Sequence, residues 1–210
     1  MTYRKLAIVG AILVGLLSGC FDEKTKENLL VAFENATKQE KSLFEDAKKL
    51  ETLEKQEQEL YTQIITEGKE NNDTVAQKLD QAVSNVDERE KILNNEKETL
   101  GKAQKETKSI QSSIDKIENK KIQKQVEKIA EAYKNRYDAF QKMYEIYVKS
   151  MAIEKDLYAK LKVKETSLKE ISEKVTEVNT LTEEIKKEKE QFNRYTKEYN
   201  EEKLAFYKET

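Results

Sequence analysis

Few kinds of side chain in this sequence could carry out chemistry. Its 210 residues include 41 Asp and Glu and 39 Lys and Arg, but no His and one Cys. Without His, the chain lacks the usual proton-transfer residue near neutral pH and the Glu-x-x-His motif of di-iron helical bundles. Carboxylate pairs occur at the frequency that chance predicts, and we expect most to pair with lysines one helical turn away. We therefore predict no catalytic residue, no metal site and no enzymatic activity.

The single thiol belongs to Cys20, which follows Leu17, Ser18 and Gly19. This tetrapeptide resembles the lipobox of bacterial lipoproteins, in which small residues precede an invariant cysteine. By that resemblance, cleavage between Gly19 and Cys20 makes Cys20 the mature N-terminus, with a thioether-linked diacylglycerol and no other cofactor. Two acyl chains anchor a protein stably in a membrane. The alternative is ordinary secretory cleavage that leaves a free thiol, because one cysteine cannot form an internal disulfide.

The residues before the cysteine are typical of an export signal. Arg4 and Lys5 precede an apolar run at residues 6–17, as the charged and apolar regions of a signal peptide do. The run is shorter than the roughly 20 residues that a membrane-spanning helix needs. We predict a lipoprotein signal peptide at residues 1–19.

The balance of acidic and basic residues limits which kinds of partner we expect. Removing residues 1–19 takes away two basic residues and no acidic one, which leaves 37 basic and 41 acidic residues and a net charge of −4. Nucleic-acid binders usually carry a basic excess, so we expect no nucleic-acid partner. The preference for Lys over Arg favours a Gram-positive source. We predict a protein anchored by its lipid to the outer face of the cell membrane.

The apolar residues of the mature chain recur in alternating steps of three and four, which is typical of helices that pack as coiled coils. Four stretches follow this pattern: residues 29–50, 75–117, 122–147 and 168–192. Polar residues interrupt the seams, among them Arg89, Glu96 and Thr107 in the second stretch and Arg136 in the third. We expect Arg89 and Arg136 to pair with acidic residues and to set the register of the helices.

Three connections separate the four helices. A turn at residues 68–73 and a capping box formed by Ser167 and Glu170 are strong signals. Between the second and third helices only Asn119 is suitable, as a left-handed cap, and a continuous helix remains an alternative. Short connections force antiparallel neighbours. The prediction is one all-α domain over residues 20–210, an elongated up-and-down four-helix bundle roughly 60 Å long.

Several segments resemble a known family. They are Gln58-Glu59-Leu60-Tyr61, Val86-Asp87-Glu88-Arg89-Glu90, Asn135-Arg136-Tyr137 and Gln191-Phe192-Asn193-Arg194-Tyr195. Over essentially the whole chain, the sequence is similar to the YkyA-type lipoproteins of Firmicutes. The resemblance implies an up-and-down helical bundle and a cell-wall-binding lipoprotein without catalytic residues.

Two surfaces are candidates for binding. Aromatic residues of the third and fourth helices could stack on a glycan such as peptidoglycan, and Tyr137 and Tyr144 are the best candidates because they lie beside the seam. The simpler alternative is that these tyrosines fill the core and extend their hydroxyls to its rim. Lys162 and Lys164 mark the second surface, the end of the rod far from Cys20. The main hypothesis is a non-enzymatic scaffold that binds a cell-wall component or an envelope protein and no small-molecule substrate, and the alternative is a direct glycan binder.

Overall fold

The structure is a computed structural model that describes residues 23–67 and 73–209. These residues form five α-helices and one short 3₁₀ turn: α1 (Glu23–Gln39), the 3₁₀ turn (Glu40–Ser42), α2 (Leu43–Glu67), α3 (Asp73–Ile114), α4 (Lys120–Leu161) and α5 (Leu168–Glu209). Within this part of the chain there is no strand, and the predicted all-α, up-and-down bundle is confirmed. The predicted signal peptide, Gly19, Cys20 and most of the turn at 68–73 lie outside the described residues.

The first predicted helix is two helices, because the 3₁₀ turn separates α1 from α2. A 3₁₀ turn has three residues per turn rather than 3.6, so it rotates the buried face of α2 relative to that of α1. The seam therefore does not continue as predicted: Ala47 is exposed, Asp46 is buried and Leu43 is half-buried. Phe44 is left 75% exposed.

The connection between α3 and α4 is a real break, so the continuous-helix alternative is wrong. Asn119 is not the left-handed cap of α3 that we predicted but the N-cap of α4, with an extended backbone (φ −71°, ψ 104°). Its side chain accepts hydrogen bonds from the backbone N–H groups of Lys121 and Ile122 at 3.0 and 3.3 Å. The side chain of Gln123 donates to the carbonyl of Ile114 at 3.1 Å, which satisfies the end of α3.

The predicted capping box before α5 is confirmed. The backbone N–H of Ser167 donates to the carboxylate of Glu170 at 3.1 Å, and the N–H of Glu170 donates to the Ser167 hydroxyl at 3.2 Å. Both groups would otherwise be unpaired at the start of the helix. α5 begins at Leu168, as predicted.

The core follows the predicted seams most closely on α3, where every predicted apolar seam residue that lies in the helix is buried. At one end of the bundle α1 packs against the end of α3, the start of α4 and the end of α5, and the rings of Phe33 and Phe206 meet edge to face at 5.8 Å. At the other end α2 packs with the start of α3 and the end of α4. Neighbouring long helices are therefore antiparallel.

The four sides of the bundle do not close equally. α3 packs against α1, α2 and α4, and α4 packs against α5, but among the described residues neither α1 nor α2 has a Cα atom within 8 Å of α5. At the α1 end the rings of Phe33 and Phe206 bridge this distance, whereas between α2 and α5 an open groove remains. None of the helices in the described ranges is both long enough and apolar enough to cross a lipid bilayer.

Candidate functional site

The groove between α2 and α5 has a volume of about 590 Å³, within the range of small-molecule sites. α3 and α4 form its floor, and we call it the α2–α5 groove. It is lined by Glu54 and Glu57 of α2, Arg89 of α3, Glu154 of α4, and Thr182 and Lys186 of α5. The partly buried apolar residues of α5 also face it, because α2 does not come close enough to cover them.

A buried ion pair forms the floor of the groove. The guanidinium of Arg89 binds the carboxylate of Glu154, and each residue is 4% exposed. Asn85 accepts from Arg89 Nε at 3.0 Å, and Ser150 donates to Glu154 at 3.0 Å. Burial alone would lower the pKa of Arg89, but the adjacent Glu154 carboxylate outweighs burial and raises it. Arg89 therefore pairs with an acidic residue, as predicted.

Two tyrosines of α4 connect the floor to α2. The Tyr147 hydroxyl donates to Glu54, and the Tyr158 hydroxyl donates to Glu57. Burial, followed by the charge of the neighbouring carboxylate, raises the pKa of both phenols, so both stay protonated donors. Burial also raises the pKa of Glu57. These hydrogen bonds fit the simpler alternative for these two tyrosines, which fill the core and extend their hydroxyls to its rim.

A smaller apolar pocket adjoins the groove and shares Tyr147 and Lys189 with it. Its volume is about 100 Å³, and Glu96 lies on its wall among apolar side chains of all four sides of the bundle. We call it the Glu96 pocket. Burial raises the pKa of Glu96 to about 7, Asp46 acts in the same direction, and Lys189 opposes them.

A second buried ion pair lies nearer the end at which α1 begins. Arg136 Nη1 binds Glu40 of the 3₁₀ turn at 2.6 Å, and Arg136 Nε donates to Thr196 of α5 at 2.9 Å. The Tyr133 hydroxyl donates to the same Glu40 carboxylate at 2.6 Å, and the guanidinium stacks on Phe192 at 4.9 Å. Arg136 thus ties the first, third and fourth sides of the bundle together.

The structure does not bring the four sequence-predicted binding residues together, and none of them lines the groove. The Tyr144 hydroxyl donates to Asn94 at 2.6 Å, and Tyr137 is half-buried against the core. Lys162 pairs with Asp80 of α3 at 2.5 Å, while Lys164 is exposed in the connection before α5.

Sequence reasoning missed the residues that line the α2–α5 groove, above all Glu54, Glu57 and Glu154. Part of the signal was available, because Arg89 and Glu96 interrupt an otherwise apolar seam. The spacing does not show which side of the bundle stays open, so it could not place these residues beside the open side. In the part of the chain that the structure describes, no cluster of His, Cys, Asp and Glu is arranged to hold a metal ion.

Fold and site together define an all-α helical-bundle protein with a polar groove between two of its helices. The chain belongs to the YkyA family, described as "Putative cell-wall binding lipoprotein", which matches residues 24–209. It is 27% identical over 164 residues to a protein of Bacillus subtilis (strain 168) called "Uncharacterized lipoprotein YkyA", covering 78% of this chain and 74% of that protein.

The fold is also similar to that of a solved structure. A crystal structure of a conserved protein of unknown function from Staphylococcus aureus superposes with a TM-score of 0.73 at 19% identity, and the match covers 91% of this chain and 98% of that one. At this identity the likeness shows the fold alone.

Removing one partner of the Arg89–Glu154 pair should cost far more stability than removing both. Arg89→Leu leaves the Glu154 carboxylate buried and unpaired, so we expect the free energy of unfolding to fall by about 3–5 kcal/mol. The double variant Arg89→Leu/Glu154→Leu should recover most of that loss, as measured by urea unfolding. In the exposed pair of Lys134 and Asp138, Lys134→Leu should change stability by no more than about 0.5 kcal/mol. Additive losses at Arg89 and Glu154 would contradict a coupled buried pair.

Glu96 should make the protein less stable as pH rises. Because its pKa is raised to about 7 in the folded chain from its ordinary value of 4.5, the folded state binds the proton more tightly between these values. Its contribution therefore falls by about 2.5 kcal/mol from pH 5 to pH 8. Glu96→Gln should remove this part of the pH dependence in urea unfolding, whereas Glu98→Gln, at an exposed residue paired with Lys102, should keep it. Equal pH profiles for wild type and Glu96→Gln would show that the carboxyl is not desolvated.

Proposed function

We propose that this protein is a non-enzymatic lipoprotein, anchored to the outer face of the cell membrane, that binds a cell-wall component in the α2–α5 groove. The observation that carries the proposal is the open side of the bundle, where α2 and α5 stand apart and leave a polar groove. The family description names wall binding and no reaction, which supports the same conclusion.

The position of the groove suits a protein held at Cys20. α1 begins at Glu23, and Glu51 and Tyr61, which line the groove, lie 28 and 38 residues further along. At a rise of 1.5 Å per residue, the groove lies roughly 40 to 60 Å from the start of α1. It is therefore in the distal half of the rod, away from the membrane and towards the wall.

The chemistry of the groove suits a neutral or zwitterionic ligand better than a polyanion. With a net charge of −4 after residues 1–19 are removed, the protein as a whole repels anionic wall polymers. Within the groove Lys186 and Lys189 of α5 face Glu54 and Glu57 of α2 across a floor whose ion pair is neutral, while Lys55 pairs with Glu51 on α2 itself. Binding then depends on directional hydrogen bonds and shape rather than on net attraction.

Blocking the groove should abolish wall binding. Thr182 and Thr180 are both exposed on α5, and each hydroxyl donates to the carbonyl four residues earlier, but Thr182 lines the groove and Thr180 does not. In co-sedimentation of the detergent-solubilised full chain with purified cell walls, Thr182→Arg should lower binding at least tenfold. Thr180→Arg should bind like wild type, and both variants should keep wild-type helicity by circular dichroism, because Arg is a better helix former than Thr.

The same assay separates the groove from the two surfaces predicted from the sequence. Loss of binding in Tyr137→Ala/Tyr144→Ala but not in Thr182→Arg would place a glycan on the aromatic face of α4. Loss in Lys162→Glu/Lys164→Glu alone would place the partner at the distal tip. If every variant binds like wild type, the groove proposal is wrong.

The anchor is tested separately. Cys20→Ala removes the thiol that would carry the diacylglycerol, so it should abolish labelling by radioactive palmitate and release the protein from the membrane fraction. Ser18→Ala keeps a small residue before the cysteine and should be labelled like wild type. A wild-type protein that takes up no label and washes off membranes with salt would contradict lipid anchoring.

A further inference from the structure

Glu96 differs from the other buried polar residues of the bundle. Eight polar or charged side chains of the described ranges are buried, and seven of them make side-chain hydrogen bonds. Glu96, which is 6% exposed, makes neither a hydrogen bond nor an ion pair with another described residue. Its carboxyl oxygens keep some contact with solvent, since they are not among the fully buried atoms without a partner. A carboxyl that is largely desolvated but reachable from a pocket can take a cationic partner from outside the chain.

The Glu96 pocket has the size and lining for a short apolar chain. Its volume is about 100 Å³, and Leu100, Phe140, Met143 and Phe192 supply apolar walls. By this measure roughly 10–15 Å³ holds one water molecule, so the pocket has room for a short chain, and its apolar walls offer few of the polar partners that ordered water needs. The pocket adjoins the α2–α5 groove at Tyr147 and Lys189, through which a ligand can enter.

The charges around Glu96 leave room for a cation. From α2, Asp46 and Glu54 face it and raise its pKa, and from α5 Lys189 acts in the opposite direction. Asp46 accepts a hydrogen bond from Asn95 of α3 at 3.0 Å, and Tyr147 of α4 is a neutral donor to Glu54. Asp46 and Glu54 act on Glu96 without lining the pocket, and Lys189, the one lysine of its lining among the described residues, is exposed at its mouth.

We propose that the Glu96 pocket binds a primary alkylammonium group, such as a lysine side chain, with the aliphatic stem against Leu100 and Met143 and the ammonium on the Glu96 carboxylate. When the cation enters, a neutral Glu96 gives up its proton to solvent, and its carboxylate pairs with the ammonium. The inference rests on the proposed function for its biological setting, since it names the group of a wall component that the groove would hold.

The probe is n-butylammonium chloride, added to the detergent-solubilised full chain labelled with ¹³C at the methionine methyl groups. Met143 lines the pocket and Met151 does not, so the Met143 methyl signal should shift on titration while that of Met151 stays in place. n-Butanol, a neutral probe of the same chain length, should bind at least tenfold more weakly at pH 8. Equal binding of the two probes would overturn the proposal, because the pocket would then select only for apolar character, and so would an unshifted Met143 signal.

Two matched pairs of variants test the role of charge. Glu96→Gln should weaken butylammonium binding at least tenfold, whereas Glu98→Gln, two residues further along α3 and outside the pocket lining, should not. Lys189→Ala removes the competing cation and should strengthen binding two- to threefold, while Lys187→Ala, exposed on the same helix, should have no effect. Unchanged affinity in Glu96→Gln would overturn the proposal.

Binding should also follow the ionisation of Glu96. With its pKa at about 7, only a small fraction of Glu96 is ionised at pH 5.5, so the apparent affinity for butylammonium should be roughly 30-fold lower there than at pH 8. A pH-independent affinity would contradict the proposal. Butylammonium binding without wall binding would contradict the proposed function but support the cation pocket. Wall binding without butylammonium binding would support the proposed function but contradict the cation pocket.

Discussion

The bundle depends on the ion pair between Arg89 and Glu154, which joins α3 to α4 in the core. A seam made of Leu, Val, Ile and Ala packs almost as well after a shift of one heptad, so apolar packing alone selects the register weakly. A shift would separate Arg89 from Glu154 and leave both charges buried without a partner, at a cost of several kcal/mol. The Arg136–Glu40 pair imposes the same constraint near the opposite end.

The open groove follows from how the helices are held. α2 is tied to α4 by hydrogen bonds from Tyr147 and Tyr158 to its carboxylates, and to α3 by the bond from Asn85 to the carbonyl of Leu53. α5 instead packs on α4. Long polar side chains therefore lie between α2 and α5, whereas shorter apolar side chains there would let the two helices pack against each other. The same contacts that set the register leave a groove that a ligand can enter.

Membership of a family of lipoproteins and the position of the groove both support the proposed role in cell-wall binding. The groove lies in the half of the rod far from the start of α1, and its lining consists of balanced charges and phenols rather than a strongly charged patch. The similarity to the Staphylococcus aureus structure extends over nearly the whole rod but concerns the fold. Under the proposed function, selectivity would depend on the side chains of the groove and of the adjoining Glu96 pocket.

The sequence by itself determined the helices, their antiparallel order and much of the core, because helical periodicity depends on residues three and four apart and is written in local spacing. It also marked Arg89 and Arg136 as buried charges and Ser167 as the start of α5. Only the structure decided that Asn119 caps α4 rather than α3, because one Asn can serve either helix end by local bonds. The rotation of α2 by the 3₁₀ turn, the separation of α2 and α5, and the pocket around Glu96 were decided by the tertiary structure. The last two depend on helices distant in the chain, and heptad spacing is the same whether a neighbouring helix packs closely or stands away.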